Sequence, residues 1–383
     1  MTVSQPARLV HNPMSSTVPP PSAGRAPQEF HRRLPGYATT PLVSVPEIAT
    51  ALGVGSVLLK DESSRLGLPA FKILGASWAV YRALEARVGG FDPWESIDDL
   101  RRQLAPLRPL TFSAATDGNH GRAVARMAKL LGFGATIYVP AGTAQARIEG
   151  IESEGAPVTV VDGTYDEAVA RAATDAGDRC LVISDTSWPG YEDVPSWVID
   201  GYSTILWEIE DQLQEAGEPS PDLVAVQIGV GALASAVVAH FRQPGMQSKI
   251  VGVEPLRAAC MLSSIEAGQI VSVAGPHDSI MAGLNCGEPS MLAWPIVSTG
   301  VDLFVAVDDE RAREGMRLLA NEGVVAGETG AAGLAGLLEL LRGPDQTDIR
   351  QSLGITDTTR VLLFITEGAT DPDAYASIVG GEG

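Results

Sequence analysis

The sequence is short of cysteine, aromatic residues and positive charge. Its three cysteines, Cys180, Cys260 and Cys286, exclude a disulfide framework and match no metal-binding spacing. Cys180 lies in an apolar run and reads as core, whereas the sequence leaves open whether Cys260 and Cys286 meet in space. Aromatics make up 5% of the chain against 45% hydrophobic residues in all, so aliphatic cores are expected. Only 27 lysines and arginines oppose 47 aspartates and glutamates, a net charge of -20. That balance argues against nucleic acid or an anionic membrane as partner, and any anionic ligand needs local donors. The N-terminus shows no apolar leader, so a cytoplasmic location is expected. The one run approaching membrane-spanning length, residues 223–241, is interrupted by Gln227, Gly229, Gly231, Ser235 and His240. It reads as a buried strand, a glycine turn and a helix.

At 383 residues the chain exceeds one typical core and suits two domains. Residues 1–36 are rich in proline, serine and charge without a period, and read as an N-terminal arm, partly disordered. Beyond them, residues 57–62 read as a strand. Residues 110–113, 135–140, 157–161 and 180–184 read as further strands, with helices at 122–131, 144–151 and 165–176 between them. A second series, 223–228, 249–253, 303–307 and 361–365, repeats the alternation. Such alternation predicts an α/β protein with parallel sheets and right-handed crossovers. The expected division is a small domain over 76–190 and a large one made of 37–75 and 191–383.

Several stretches carry candidate chemistry. Lys72 stands among apolar and small residues, just before a helical pattern formed by Ser77, Val80, Tyr81, Leu84 and Val88. A lysine so placed loses hydration, and its neutral amine can attack an aldehyde to form a Schiff base. The competing reading is a lysine whose stem lies along the surface at a helix start. The link Ser113-Ala114-Ala115-Thr116-Asp117-Gly118-Asn119-His120-Gly121 joins a strand to a helix, where parallel sheets bind ligands. Its glycines can bring N–H groups to an anion, Asn119 can bond a cofactor or substrate oxygen, and Asp117 offers a base or an amine binder. An Asx turn with a helix cap explains the same residues, and His120 by itself reads as structural.

Gly229-Val230-Gly231-Ala232-Leu233-Ala234 suits a phosphate at a helix start. With Glu254 ending the next strand it also fits a dinucleotide pattern, and a plain tight turn accounts for it too. Asp185 ends one strand and Thr366 another; each is either a group facing a ligand or ordinary strand-end chemistry.

In order along the chain come Lys60-Asp61-Glu62-Ser63, Ala70-Phe71-Lys72, Thr116-Asp117-Gly118-Asn119-His120-Gly121 and Asp185-Thr186. Trp188-Pro189-Gly190-Tyr191, Gly229-Val230-Gly231-Ala232, Met281-Ala282-Gly283-Leu284, Cys286-Gly287-Glu288-Pro289 and Thr366-Glu367-Gly368 follow. This series resembles the fold-type II pyridoxal-phosphate enzymes, and among them the diaminopropionate ammonia-lyase branch, from about residue 30 to the C-terminus. Ala76 and Ala234-Ser235 stand where glycine is commoner in that family.

The resemblance implies two open, twisted, mostly parallel sheets flanked by helices, an active site in the interdomain cleft, pyridoxal 5'-phosphate as cofactor, no metal, and a homodimer. Lys72 would carry the cofactor, with Phe71 beside it. Asn119 would bond the 3-oxygen. Gly229, Val230, Gly231, Ala232, Leu233 and Ala234 would hold the phosphate, and Thr366 the pyridine nitrogen. Ala115, Thr116, Asp117 and His120 would meet a small amino-acid substrate. An acid at 117, where serine and threonine dehydratases usually have a serine-type box, points with Asp185 to a second amino group or the opposite enantiomer.

The implied reaction is α,β-elimination of 2,3-diaminopropionate to pyruvate and two ammonia. Lys72 or Asp117 would take the Cα proton, according to enantiomer, and Asp185 would protonate or bind the leaving amine. The alternatives are a serine/threonine dehydratase using the same cofactor, an NAD-dependent oxidoreductase using the glycine turn and Glu254, and a non-catalytic binding protein.

Overall fold

The architecture comes from a computed structural model that describes residues 6–16, 22–116 and 118–380. Its strands, in chain order, are β1 Arg8–His11, β2 Leu42–Ser44, β3 Ser56–Asp61, β4 Thr111–Ala115, β5 Gly134–Pro140, β6 Val158–Val161, β7 Cys180–Val182, β8 Leu223–Gln227, β9 Lys249–Pro255, β10 Leu303–Val307 and β11 Arg360–Ile365. They form two sheets flanked by helices. β8 and β10 are buried at every position, and β9 and β11 at all but the first. Continuous apolar strands of this kind belong in a parallel sheet covered on both faces.

The seven-stranded sheet runs β1-β10-β9-β8-β11-β3-β2. Its five inner strands are parallel and its two edges antiparallel. From β8 the chain moves outward to β9 and β10, then returns to lay β11 on the other side of β8. The β8/β11 junction is therefore a switch point, and ligand crevices form at the carboxyl ends of strands there. The four-stranded sheet, β6-β5-β4-β7, is wholly parallel. It has its own switch point between β4 and β7. The aliphatic composition shows in the larger sheet, where Leu223, Ala225, Val251, Val253, Leu303, Val305 and Leu363 share one core. The aromatics gather elsewhere: Phe30, Trp78, Tyr81 and Trp94 pack with ring centroids 4.7–5.9 Å apart.

One compact unit consists of Met1–Ser22, Thr39–Ser64 and Ile205–Gly383, the other of Ala23–Ala38 and Arg65–Thr204. These limits differ from the expected ones. The N-terminal stretch is not merely an arm: Arg8–His11 pairs with Leu303–Ala306 as an edge of the larger sheet. Ala26–His31 is a helix of the smaller unit, with His31 bonded to Thr204 and the Leu74 carbonyl. Lys72 also falls in the smaller unit. The helix Lys72–Val88 crosses the start of the helix Asp193–Ala216 through two glycines. A Cβ on Gly75 would lie 2.5 Å from the Tyr202 ring, and one on Gly201 2.5 Å from the Leu74 carbonyl oxygen. That close approach is unavailable to any larger residue, and periodicity along the sequence does not reveal it. Among the described residues no helix is long and apolar enough to cross a membrane.

Candidate active site

At the switch point of the smaller sheet, β4 leads to Thr116 and the helix Asn119–Leu131, and β7 leads to Asp185. Lys72 is the first residue of its helix, five residues before the apolar period expected from Ser77 onward. Its Nζ lies 2.7 Å from Asp185 Oδ2 and 5.5 Å from the centroid of the Phe71 ring, which rests on Tyr202. Asp185 is buried, and its other oxygen accepts the Tyr165 hydroxyl at 2.9 Å. Burial raises the proton affinity of this carboxyl. The charge of Lys72, that of His120 and the hydrogen bonds from Lys72 and Tyr165 outweigh burial and hold it well below the usual carboxylate range. Asp185 is therefore an anion at neutral pH.

The surroundings make that geometry stiff. Tyr165 opens the helix Tyr165–Ala173, whose start is fixed by a reciprocal capping box between Thr164 and Glu167. Near the helix end, Asp175 accepts the hydroxyls of Ser113 and Tyr138. Beyond Asp185 the rings of Trp188 and Tyr191 stack 4.2 Å apart. The Tyr191 hydroxyl donates to the Val182 carbonyl and accepts the Ser184 N–H.

Thr116 and Ala115 are buried at the end of β4, and the Thr116 hydroxyl oxygen accepts the Gly118 N–H at 2.8 Å. Gly118, at φ +142°, precedes the half-buried Asn119, and among the described residues no side chain caps that helix. The stem of Arg147, which sequence reasoning missed, lies against Gly118. The His120 Nε2 is 2.8 Å from the Ile183 carbonyl, a tie between the helix and the strand end. Asp117 lies outside the described residues.

The larger sheet's switch point is built differently. After β8 the chain turns through Gly229, Val230 and Gly231 into the helix Ala232–Phe241. Gly231 has φ +102°, and a Cβ there would fall 2.8 Å from that of Ala293. Ala232, Leu233 and Ala234 are buried, yet among the described residues no side chain caps this helix. A buried helix start with its N–H groups uncapped is a cradle for an anion. Cys260 and Cys286 are buried beside Gly229. At the end of neighbouring β11, Thr366 is buried, and its hydroxyl oxygen accepts Gln227 Nε2 at 3.0 Å.

Two further groups prove structural. Glu254 accepts the Met261 and Leu262 N–H groups at 2.8 and 2.7 Å, one on each oxygen, and so caps the helix Cys260–Ala267. Both oxygens are engaged, so it is no ribose-binding acid, and the dinucleotide reading fails. Lys60, first of the motif residues, is wholly buried between Glu208, the Thr40 carbonyl and Gln212, each 2.8 Å away.

In the smaller unit a lysine pairs with a buried carboxylate, and in the larger a buried glycine turn opens a helix near a strand-end hydroxyl; an amine, a phosphate cradle and a neutral hydroxyl are groups that fit pyridoxal phosphate. The family model described as "Pyridoxal-phosphate dependent enzyme" matches residues 33–352, and the chain belongs to that family. It is 38% identical over 363 residues to the diaminopropionate ammonia-lyase of Salmonella typhimurium, covering 91% of this chain and 90% of that protein. The Escherichia coli enzyme of the same name is 36% identical over 94% of this chain and 91% of its own. The crystal structure of Escherichia coli diaminopropionate ammonia lyase in complex with D-serine matches with a TM-score of 0.90 at 34% identity, covering 98% of this chain and 97% of that one. The fold is thus fold-type II.

Proposed function

We propose that the protein is a carbon–nitrogen lyase that uses pyridoxal phosphate to eliminate ammonia from 2,3-diaminopropionate, giving pyruvate and two ammonia. The observation that carries this reading is the 2.7 Å pair of Lys72 and Asp185 at a strand-end switch point, in a chain 38% identical to a diaminopropionate ammonia-lyase. In this reading Lys72 holds the cofactor covalently. The Gly229–Ala234 segment holds its phosphate, Thr366 its ring nitrogen and Asn119 its 3-oxygen. When bound, the cofactor supplies the electron sink that makes the Cα proton acidic.

The chain's own residues handle protons and charge. Lys72 takes the Cα proton of one enantiomer and Asp117 that of the other. Ala115, Thr116 and His120 line the substrate's path. Asp185 is already ionised, so it acts as an anchor for the substrate's second ammonium rather than as an acid. A hydroxyl in place of that ammonium brings no charge to the anchor, which favours the diamine over serine. A cytoplasmic homodimer belongs to the same reading, supported by the family resemblance.

The test is the purified protein's spectrum followed by a pyruvate and ammonia assay. The protein should show a Schiff-base band near ~410–420 nm and consume 2,3-diaminopropionate. Faster turnover of serine than of either diaminopropionate enantiomer would overturn the substrate assignment.

A further inference from the structure

β8 is apolar at four positions and ends in a glutamine. Gln227 is 3% exposed. One terminal atom of its amide lies 3.1 Å from the Thr329 carbonyl oxygen, 3.0 Å from that of Phe364 and 3.0 Å from Thr366 Oγ1. Two carbonyls facing one atom require a donor, so that atom is Nε2, and its two N–H groups are shared among the three oxygens. The Oε1 is then buried without a hydrogen-bond partner among the described residues. An orphaned amide oxygen destabilises the fold, and an apolar side chain of similar volume avoids the penalty. The glutamine makes sense only through what its N–H groups do.

They orient a hydroxyl. Thr366 Oγ1 has one proton to give and lone pairs to receive. With a Gln227 N–H bonded to the oxygen, the hydroxyl proton must point elsewhere. The acceptor near it is the Thr329 carbonyl, 3.5 Å away and already bonded to Gln227. That contact is at the outer limit of hydrogen bonding. We propose that Gln227 is a positioning residue that fixes the Thr366 hydroxyl as a donor, so that it gives a hydrogen bond to the cofactor's ring nitrogen instead of receiving one from it. This rests on the role given to Thr366 above. A ring nitrogen held by a neutral hydroxyl stays unprotonated. Held so, the cofactor would supply a weaker electron sink, and Thr366 with Gln227 would set that strength.

The test compares holoenzymes of the wild type, Gln227→Leu, Thr366→Ala and the double variant, each loaded with cofactor labelled with ¹⁵N in the ring. Gln227→Met, unbranched and donor-free, replaces Gln227→Leu if that variant does not fold. In the single variants the ring ¹⁵N resonance should move toward that of a pyridine with no hydrogen bond, while the visible band persists. The kcat should fall about tenfold with KM within about twofold, and the glutamine change should add under about twofold once Thr366 is alanine.

An unmoved ¹⁵N resonance in the glutamine variant, or effects that multiply fully in the double variant, would leave Gln227 a structural residue and overturn the inference alone. A wild type without the visible band or pyruvate would overturn the functional reading and this inference together.

Discussion

The two sheets solve the same topological problem with opposite chemistry. Each has one switch point, and each presents side chains from the ends of the two strands that flank it. The smaller sheet puts a carboxylate there, facing Lys72, with Tyr165 and His120 near it. The larger sheet puts backbone N–H groups, an amide and a hydroxyl there. Topology assigns the address, and the residues at the strand ends assign the task. One end holds a buried ion pair, the other a glycine turn into a helix beside a buried hydroxyl.

The buried acids sharpen the contrast. Asp185 stays ionised because a cation pairs with it. Glu254, on the larger sheet, is pushed up to about 8 by burial, despite the two N–H groups it accepts. One is held as an anion by its ion pair, the other is a helix cap whose burial favours its protonated form.

The largest break in this comparison comes from the charged end. Lys72→Ala should abolish the visible band and lower kcat by roughly 10⁴-fold, because no other group takes over both of its tasks. Spectrum and pyruvate assay on one sample check both. Asp185→Asn should lower kcat/KM for diaminopropionate by roughly 10²-fold and for serine by much less. The cofactor-free protein offers a second reading of the same residue. The stability conferred by the Asp185 ion pair is present above its ordinary value, 3.8, and is lost as the pH falls toward its lower native value. The gap in melting temperature between wild type and Asp185→Asn should therefore close in acid.

Gly201→Ala tests the scaffold beneath the lysine. Overpacking against Leu74 should cost about 1–3 kcal/mol in denaturant unfolding. Glu254→Gln should have the smallest effect, visible as a change of slope. The native state keeps the Glu254 proton up to about pH 8, while the unfolded chain releases it near its ordinary 4.5. Wild-type stability therefore falls as pH rises between those values, and the variant's profile should be flatter there.

Much of this was legible in the sequence, and the exceptions have physical causes. Inner strands such as β8, β10 and β11 announce themselves because burial on both faces demands an unbroken apolar run. The edge strand β1 has no such run: it is four residues of mixed character, and it was read as part of an arm. Lys72 falls in the smaller unit, a grouping no linear pattern shows, because the Gly75–Gly201 crossing joins helices distant in the chain. Lys72, Asp185, the glycine turn and Thr366 stand out in the sequence by strand-end position and motif order. In the sequence Gln227 reads as an interruption of an apolar run, and a lone amide closing a buried strand is the signal it carries. Tyr165 was seen as a helix start, and its hydroxyl bond to Asp185 depends on a fold no linear pattern displays.

The pairing of β1 with β10 bears on how the molecule is made. A ribosome releases Arg8 long before Ala306, its partner across the sheet. During synthesis the first strand waits, and the sheet's outer margin is zipped shut only near the close of translation. Trimming the chain through His11 would leave the backbone of β10 with a bare row of donors and acceptors, an invitation to self-association. Such a product should be recognised by clouding on concentration rather than by slower turnover.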